Sequence, residues 1–150
     1  MVSEGLVRKS IVLANENSVL EQMCRKLLDE AAKQGFEQED LFAIHLALEE
    51  AFLNAVKHGN KMDLNKKVYV EYLITPQKFD ISVGDDGCGF NPSSVPDPRE
   101  GQNLYKSSGR GLLLMQSYMD TVEYNREGNC VHMVKFSRNT KSKADSKNIR

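Results

Sequence analysis

Cysteine is scarce and unpaired in this sequence: Cys24, Cys88 and Cys130 make an odd count with no C-x-x-C pair. That argues against a disulfide framework and predicts a reducing compartment. No apolar run approaches the roughly 18 residues that would cross a bilayer. Met1 to Ser18 holds Glu4, Asn15, Glu16 and Asn17 where a signal peptide needs an apolar stretch. An excess of one charge is lacking too. Lys and Arg number 20 against 21 Asp and Glu, a net charge of −1, which gives no overall pull toward nucleic acid or an anionic membrane. No G-x-x-x-x-G-K-[ST] segment occurs, so a P-loop is excluded, and no internal repeat is present. These absences predict a cytoplasmic, soluble protein with no direct contact to membrane or nucleic acid.

At 150 residues the chain suits one domain, since a domain takes about 100–200 residues. A chain this long buries roughly two-thirds of its unfolded surface, enough for a core without staples. Its charge is uneven. From Arg138 to Arg150 five basic residues face one acidic residue, a net charge of +4 that leaves −5 for the remainder. Residues 1–137 are predicted to form the domain and 138–150 a basic, disordered tail.

Periodicity predicts a strand over Leu6–Leu13, then a helix capped by Asn17 or Ser18 and ended by Gly35. A second helix opens at Gln38–Asp40 with acids in its first turn and runs to His58, stopping at Gly59. Lys67–Thr75 and Lys78–Val83 read as a hairpin around Pro76-Gln77, with Val68, Val70, Tyr72 and Ile74 on one face. Gly84–Ser108 is rich in Gly, Pro, Ser, Asp and Asn, and a loop on the order of 20 residues inside a compact domain is usually functional. A short helix over Gly109–Met119 follows, and then strands at Thr121–Asn125 and Val131–Phe136 around Gly128-Asn129. Leu113, Leu114, Met115, Tyr118 and Met119 of that helix are read as core.

On the second helix, at about 100° per residue, Glu50, Asn54 and Lys57 fall on one side, away from Leu48 and Phe52 and flanked by Ala47 and Ala51. Such a side is either the solvated face of an amphipathic helix or a site. A carboxylate, a carboxamide and an ammonium supply a general base, an oxygen ligand for Mg²⁺ and a phosphate counter-charge.

Gly84-Asp85-Asp86-Gly87-Cys88-Gly89 follows a strand, but Phe90-Asn91-Pro92 comes next and the glycine order is wrong for a dinucleotide fingerprint. The segment is either a turn or a place where backbone approaches a flat ligand, with Asp85 positioned to accept from an exocyclic amine such as that of adenine. Gly109-Arg110-Gly111 opens a helix, either as a plain junction or as an anion site made by free N–H groups and Arg110. Cys130-x-His132 offers two metal ligands without a third, and His45 with Glu49 is an ordinary i,i+4 pair.

In order, Glu50-Ala51-x-x-Asn54-Ala55-x-Lys57-His58-Gly59, Asp85-x-Gly87-x-Gly89 and Gly109-x-Gly111 resemble the N, G1 and G2 boxes of the GHKL (histidine kinase-like) ATPases. The short segment Pro92–Ser108, with Gln102-Asn103-Leu104 before Ser108-Gly109-Arg110-Gly111-Leu112, looks most like the anti-sigma-factor serine/threonine kinases. The resemblance spans about Leu6 to Phe136. It implies an α/β fold of the Bergerat type, a two-layer sandwich with helices on one face of a mixed, mainly antiparallel sheet. It also implies ATP and Mg²⁺ as ligands. By motif position Glu50 is the catalytic base, Asn54 the Mg²⁺ ligand, and Asp85 the adenine contact. Gly87 and Gly89 admit the base, Gly109, Arg110 and Gly111 cradle phosphates, Lys57 contacts phosphate, and His58 follows it as in the serine kinases.

The implied activity is a Mg-ATP-dependent serine/threonine protein kinase of anti-sigma type. It phosphorylates an anti-anti-sigma-type partner, with a sigma factor as second partner and a homodimer as the expected assembly. The alternative is an ATP-dependent protein-binding switch with little or no kinase activity, and the presence of both Glu50 and Asn54 favours the kinase. An isolated histidine-kinase catalytic domain is disfavoured, because no phosphoacceptor hairpin precedes the boxes and the lid is short.

Overall fold

The computed structural model describes residues 8–61, 63–87 and 107–138, with the backbone alone at 58, 59 and 107–110. Period-two alternation builds its sheet. In β2 (Lys67–Ile74), Val68, Val70, Tyr72 and Ile74 point into the core while Lys67, Tyr69 and Glu71 are exposed, the pattern that β-branched and aromatic residues take on a half-covered surface. The chain reverses at Pro76-Gln77 into β3 (Lys78–Asp85). Thr75 closes that turn: its N–H donates to the Lys78 carbonyl at 2.9 Å, and its hydroxyl accepts from the N–H groups of Gln77 and Lys78.

With β1 (Lys9–Ala14), β4 (Thr121–Tyr124) and β5 (Cys130–Phe136), the sheet has the order β1-β2-β3-β5-β4. All four described pairings are antiparallel. A mixed, mainly antiparallel sheet was expected, and the antiparallel character is present. β3 and β4 do run in the same direction, but β5 lies between them, so no parallel pair forms among the described residues. The β4–β5 turn is held by Asn125, whose Oδ1 accepts from the N–H groups of Asn129 and Cys130, and Gly128 supplies the positive φ of +74°.

Three helices, α1 (Asn17–Lys33), α2 (Gln38–Leu53) and α3 (Ser107–Tyr118), cover one face of the sheet. Leu20, Met23, Leu27 and Ala31 recur at helical spacing along α1 and are buried with Ile44, Leu48 and Phe52 of α2. Burial of one such Leu or Ile contributes roughly 1.5–3 kcal/mol. Ser18 and Asn17 do not cap α1. Glu16 stands at the N-cap without a side-chain bond, and Asn15 donates instead across the fold to the Asp63 carbonyl at 2.9 Å. At the other end Gly35 (φ +102°) allows its own N–H to reach the Ala32 carbonyl and that of Phe36 to reach Ala31, which satisfies two terminal carbonyls at once.

Two further expectations shift. Arg138, read as the start of the tail, is tied to the domain: its N–H donates to Asp40 Oδ2 at 2.8 Å and its guanidinium meets Glu39 at 2.6 Å. Residues 139–150 lie outside the described residues. On α3, Met115 is buried, with Met119 just beyond the helix end, but Leu113 and Leu114 face outward, 46% and 42% exposed, on the side of the helix turned away from α2 and β4.

Candidate functional site

The helix carrying Glu50 does not remain α-helical to His58. From Asn54 to Gly59 it winds as a π-helix, and Asn60 N–H closes it by donating to the fifth carbonyl back, that of Ala55, at 2.8 Å. Such wide turns cluster at functional sites because they re-aim side chains. The re-aiming separates residues that ideal helix geometry would group. Asn54 is buried, 7% exposed, on the side toward α3 and β4. Lys57 is exposed and lines a groove of about 420 Å³ between α1 and α2 together with Leu20, Cys24 and Glu50. Glu50 belongs to both sides.

Gly111 accounts for how α3 meets this face. A Cβ built there would lie 2.9 Å from Asn54 Nδ2 and 2.9 Å from Glu50 Oε2, so a side chain at 111 would force both polar ends to shift. Because α3 begins at Ser107, Gly111 is its fifth residue and lies past the four N–H groups that a helix start leaves free. Its contribution is therefore close approach rather than anion binding. Gly109 lies in the first turn of α3. The side chains of Arg110 and His58 lie outside the described residues, as does Gly89 entirely.

The Asn54 carboxamide is asymmetric in its bonding. Nδ2 donates to the Tyr124 hydroxyl at 3.4 Å, while Oδ1 is buried with no hydrogen-bond partner among the described residues. A buried amide oxygen left without a partner costs about 1–3 kcal/mol, and it is a hard oxygen donor of the kind Mg²⁺ takes. Among the described residues no group of three or more His, Cys, Asp or Glu side chains could hold a metal. The donor set thus fits a cation bound by one or two protein oxygens and completed by phosphates and water, and does not fit an all-protein cage.

Asp85 ends β3 with one oxygen accepting the Gly87 N–H at 2.8 Å. Burial pushes its carboxyl up to about 6; the Gly87 bond and the Lys66 charge oppose this, and neighbouring Asp86 adds to it. No cation is bonded to it among the described residues. Asp86 instead serves structure: it accepts from the Lys67 N–H and the Tyr69 hydroxyl, both at 2.8 Å. Its own N–H donates to Asn60 Oδ1 at 2.8 Å. Asn60, wholly buried, also donates to Asn15 Oδ1 at 3.1 Å and to the Lys67 carbonyl at 2.8 Å. This buried amide binds the end of the π-helix to the Asp85 turn.

Sequence reading missed Asn60 and Tyr124. Asn60 directly follows the His58-Gly59 end of the first box, and that adjacency was a usable signal. Tyr124 gave none, because its partner lies 70 residues away. The expected i,i+4 pair of His45 and Glu49 is present at 2.9 Å. His132 spends its ring on Asp80 rather than on a metal.

Residues 13–135 match the histidine kinase-like ATPase domain family. The chain is 31% identical over 126 residues to the serine-protein kinase RsbW of Listeria monocytogenes serovar 1/2a, covering 79% of this chain and 80% of that protein. It is 35% identical over 97 residues to the anti-sigma F factor of Clostridium perfringens, 61% of this chain and 66% of that one. Among solved structures it resembles the RsbU and RsbW domains of Rv1364c from Mycobacterium tuberculosis. That match has a TM-score of 0.59 at 17% identity and covers 88% of this chain and 33% of that one, a likeness of fold. Three boxes in order, the layered sheet and a family match over most of the length agree, and the chain belongs to the histidine kinase-like ATPases, in the branch of the anti-sigma-factor serine kinases.

Proposed function

We propose that this protein is a Mg-ATP-dependent serine/threonine protein kinase and anti-sigma-type regulator, which phosphorylates an anti-anti-sigma-type partner in a partner-switching system. The carrying observation is the convergence of Glu50 and Asn54 beneath Gly111, with the Asn54 oxygen buried and without a hydrogen-bond partner among the described residues. Phosphoryl transfer depends on positioning and charge neutralisation more than on covalent chemistry. Asn54 Oδ1 would hold the Mg²⁺, which would supply charge neutralisation for the phosphates, and Asp85 would accept from the adenine amine. Glu50 takes the proton of the acceptor hydroxyl as its oxygen bonds to the γ-phosphorus and ADP leaves.

Gly87 and Gly89 let backbone approach the base, Gly109 and Arg110 meet phosphate at the start of α3, and Lys57 with His58 supplies charge at the end of the helix. Exposed Lys57 reaches the phosphates only if its long side chain folds back from the α1–α2 groove. The second partner is a sigma factor, and the protein acts in the cytoplasm. Among the described residues no helix is long and apolar enough to cross a membrane. A homodimer fits the outer edge of β1, the last strand of the sheet among the described residues.

Calorimetry with ATP and Mg²⁺, followed by transfer to the anti-anti-sigma-type partner, tests this reading. Glu50→Gln should retain ATP affinity and lose about 10²–10⁴-fold in transfer rate, the usual share of a general base. Asn54→Ala should lose the Mg²⁺-dependent part of binding. Binding without transfer by the wild type would replace the kinase with the switch module.

A further inference from the structure

A carboxamide has two nearly isosteric ends, and only one of them suits a cation. Oxygen outward, Asn54 is a ligand; turned by 180°, it presents N–H donors that repel a metal. Helix geometry places the side chain but not the turn of its amide, so something outside the helix must choose. Three observations locate the chooser. The Asn54 Nδ2 group donates to the Tyr124 hydroxyl. Oδ1, at the other end, is buried without a hydrogen-bond partner among the described residues. Gly111 closes over both ends, with its hypothetical Cβ 2.9 Å from Nδ2 and 3.4 Å from Oδ1.

We infer that Tyr124 is a positioning residue for the metal site: its hydroxyl accepts from Nδ2 and thereby holds the oxygen of Asn54 toward the cation. This rests on the nucleotide-site reading above and adds a residue from β4, a strand that contributes none of the three boxes. Tyr124 is suited to the task. It projects from the same face of the sheet as Val122, which packs against the core. A neighbour that orients a metal ligand is commonly worth about 10–100-fold in metal affinity.

The readout is the ratio of ATP dissociation constants without and with saturating Mg²⁺, measured by calorimetry on the full chain. Tyr124→Phe keeps the ring and removes the acceptor. It should lower that ratio about tenfold or more, leaving metal-free ATP affinity unchanged. Asn54→Asp offers an oxygen at both ends, so orientation no longer matters. In that background the further change Tyr124→Phe should leave the ratio where Asn54→Asp set it, a non-additivity that a packing role would not produce. The inference is overturned if Tyr124→Phe leaves the ratio within about twofold of wild type, or lowers it equally in both backgrounds. A wild-type ratio of one would sink the metal-site reading itself, which is a separate and distinguishable result.

Discussion

Two faces of the same sheet treat buried polar groups in opposite ways. On the open face Asp80 is 6% exposed and fully engaged. Arg8 and His132 each bond its Oδ1 at 2.8 Å, and Lys78 lies 3.6 Å from Oδ2. Burial alone would push this carboxyl up, but the hydrogen bonds and charges of Arg8 and His132 outweigh it and hold Asp80 below its ordinary value. Five positions on, at the helix-covered face, Asp85 has only a backbone N–H bonded to it among the described residues and is pushed up to about 6. The amides repeat the contrast. Asn60 has both ends of its carboxamide bonded, whereas Asn54 keeps an oxygen without a partner among the described residues. Satisfied groups hold the fold, and unsatisfied ones are capacity held for a ligand.

The contrast breaks most visibly at the amides. Asn60→Ala strips three bonds from a buried network and should cost about 2–3 kcal/mol, measured by urea unfolding without nucleotide. Asn54→Ala removes an amide that is only half engaged and should change nucleotide-free stability by less than about 1 kcal/mol. Equal losses would mean that Asn54 is as structural as Asn60.

A smaller separation is expected at the aspartates. Asp80→Asn should cost about 1–2 kcal/mol at pH 7, since hydrogen bonds to a charged group are lost while Arg8 and His132 remain partly solvated. Asp80 is held below its ordinary value, so its contribution is present above the unfolded carboxylate range and disappears as pH falls through the folded value. Wild type and variant should therefore converge in acid.

Asp85 should show the reverse sign. With its folded value raised from 3.8 to about 6, the native state binds the proton more tightly than the unfolded chain. Asp85 therefore subtracts stability as pH climbs through that window. Asp85→Asn should raise the nucleotide-free Tm at pH 7.5 and not at pH 4, while weakening adenine nucleotides. Wild-type affinity for those nucleotides should itself fall below about pH 6, because an amine donor favours the ionised acceptor. A variant that lowers the Tm at pH 7.5 would place Asp85 with Asp80 among the structural groups.

Much of this was legible beforehand because it is local. Alternation at Val68, Val70, Tyr72 and Ile74 identified the covered face of β2, and Gly35 and Pro76-Gln77 marked a helix end and a turn through backbone requirements that few other residues meet. The order and spacing of Glu50, Asn54, Asp85 and Gly111 identified the family. Local rules failed where distant contacts decide. The cap at Asn17 or Ser18 did not form, although α1 starts where periodicity placed it. The helix widened at Asn54, and Lys57 lines the α1–α2 groove while Asn54 is buried.

The sequence by itself thus determined the elements, their inward faces and the chemical types gathered at the site, since period, turn chemistry and residue identity are short-range properties. Only the tertiary structure decided which of two aspartates is paired, which of two asparagines is satisfied, and that Tyr124 meets Asn54 across 70 residues. Those outcomes depend on strand register and on the low dielectric of packed interiors, and neither exists until the sheet and helices have closed on each other.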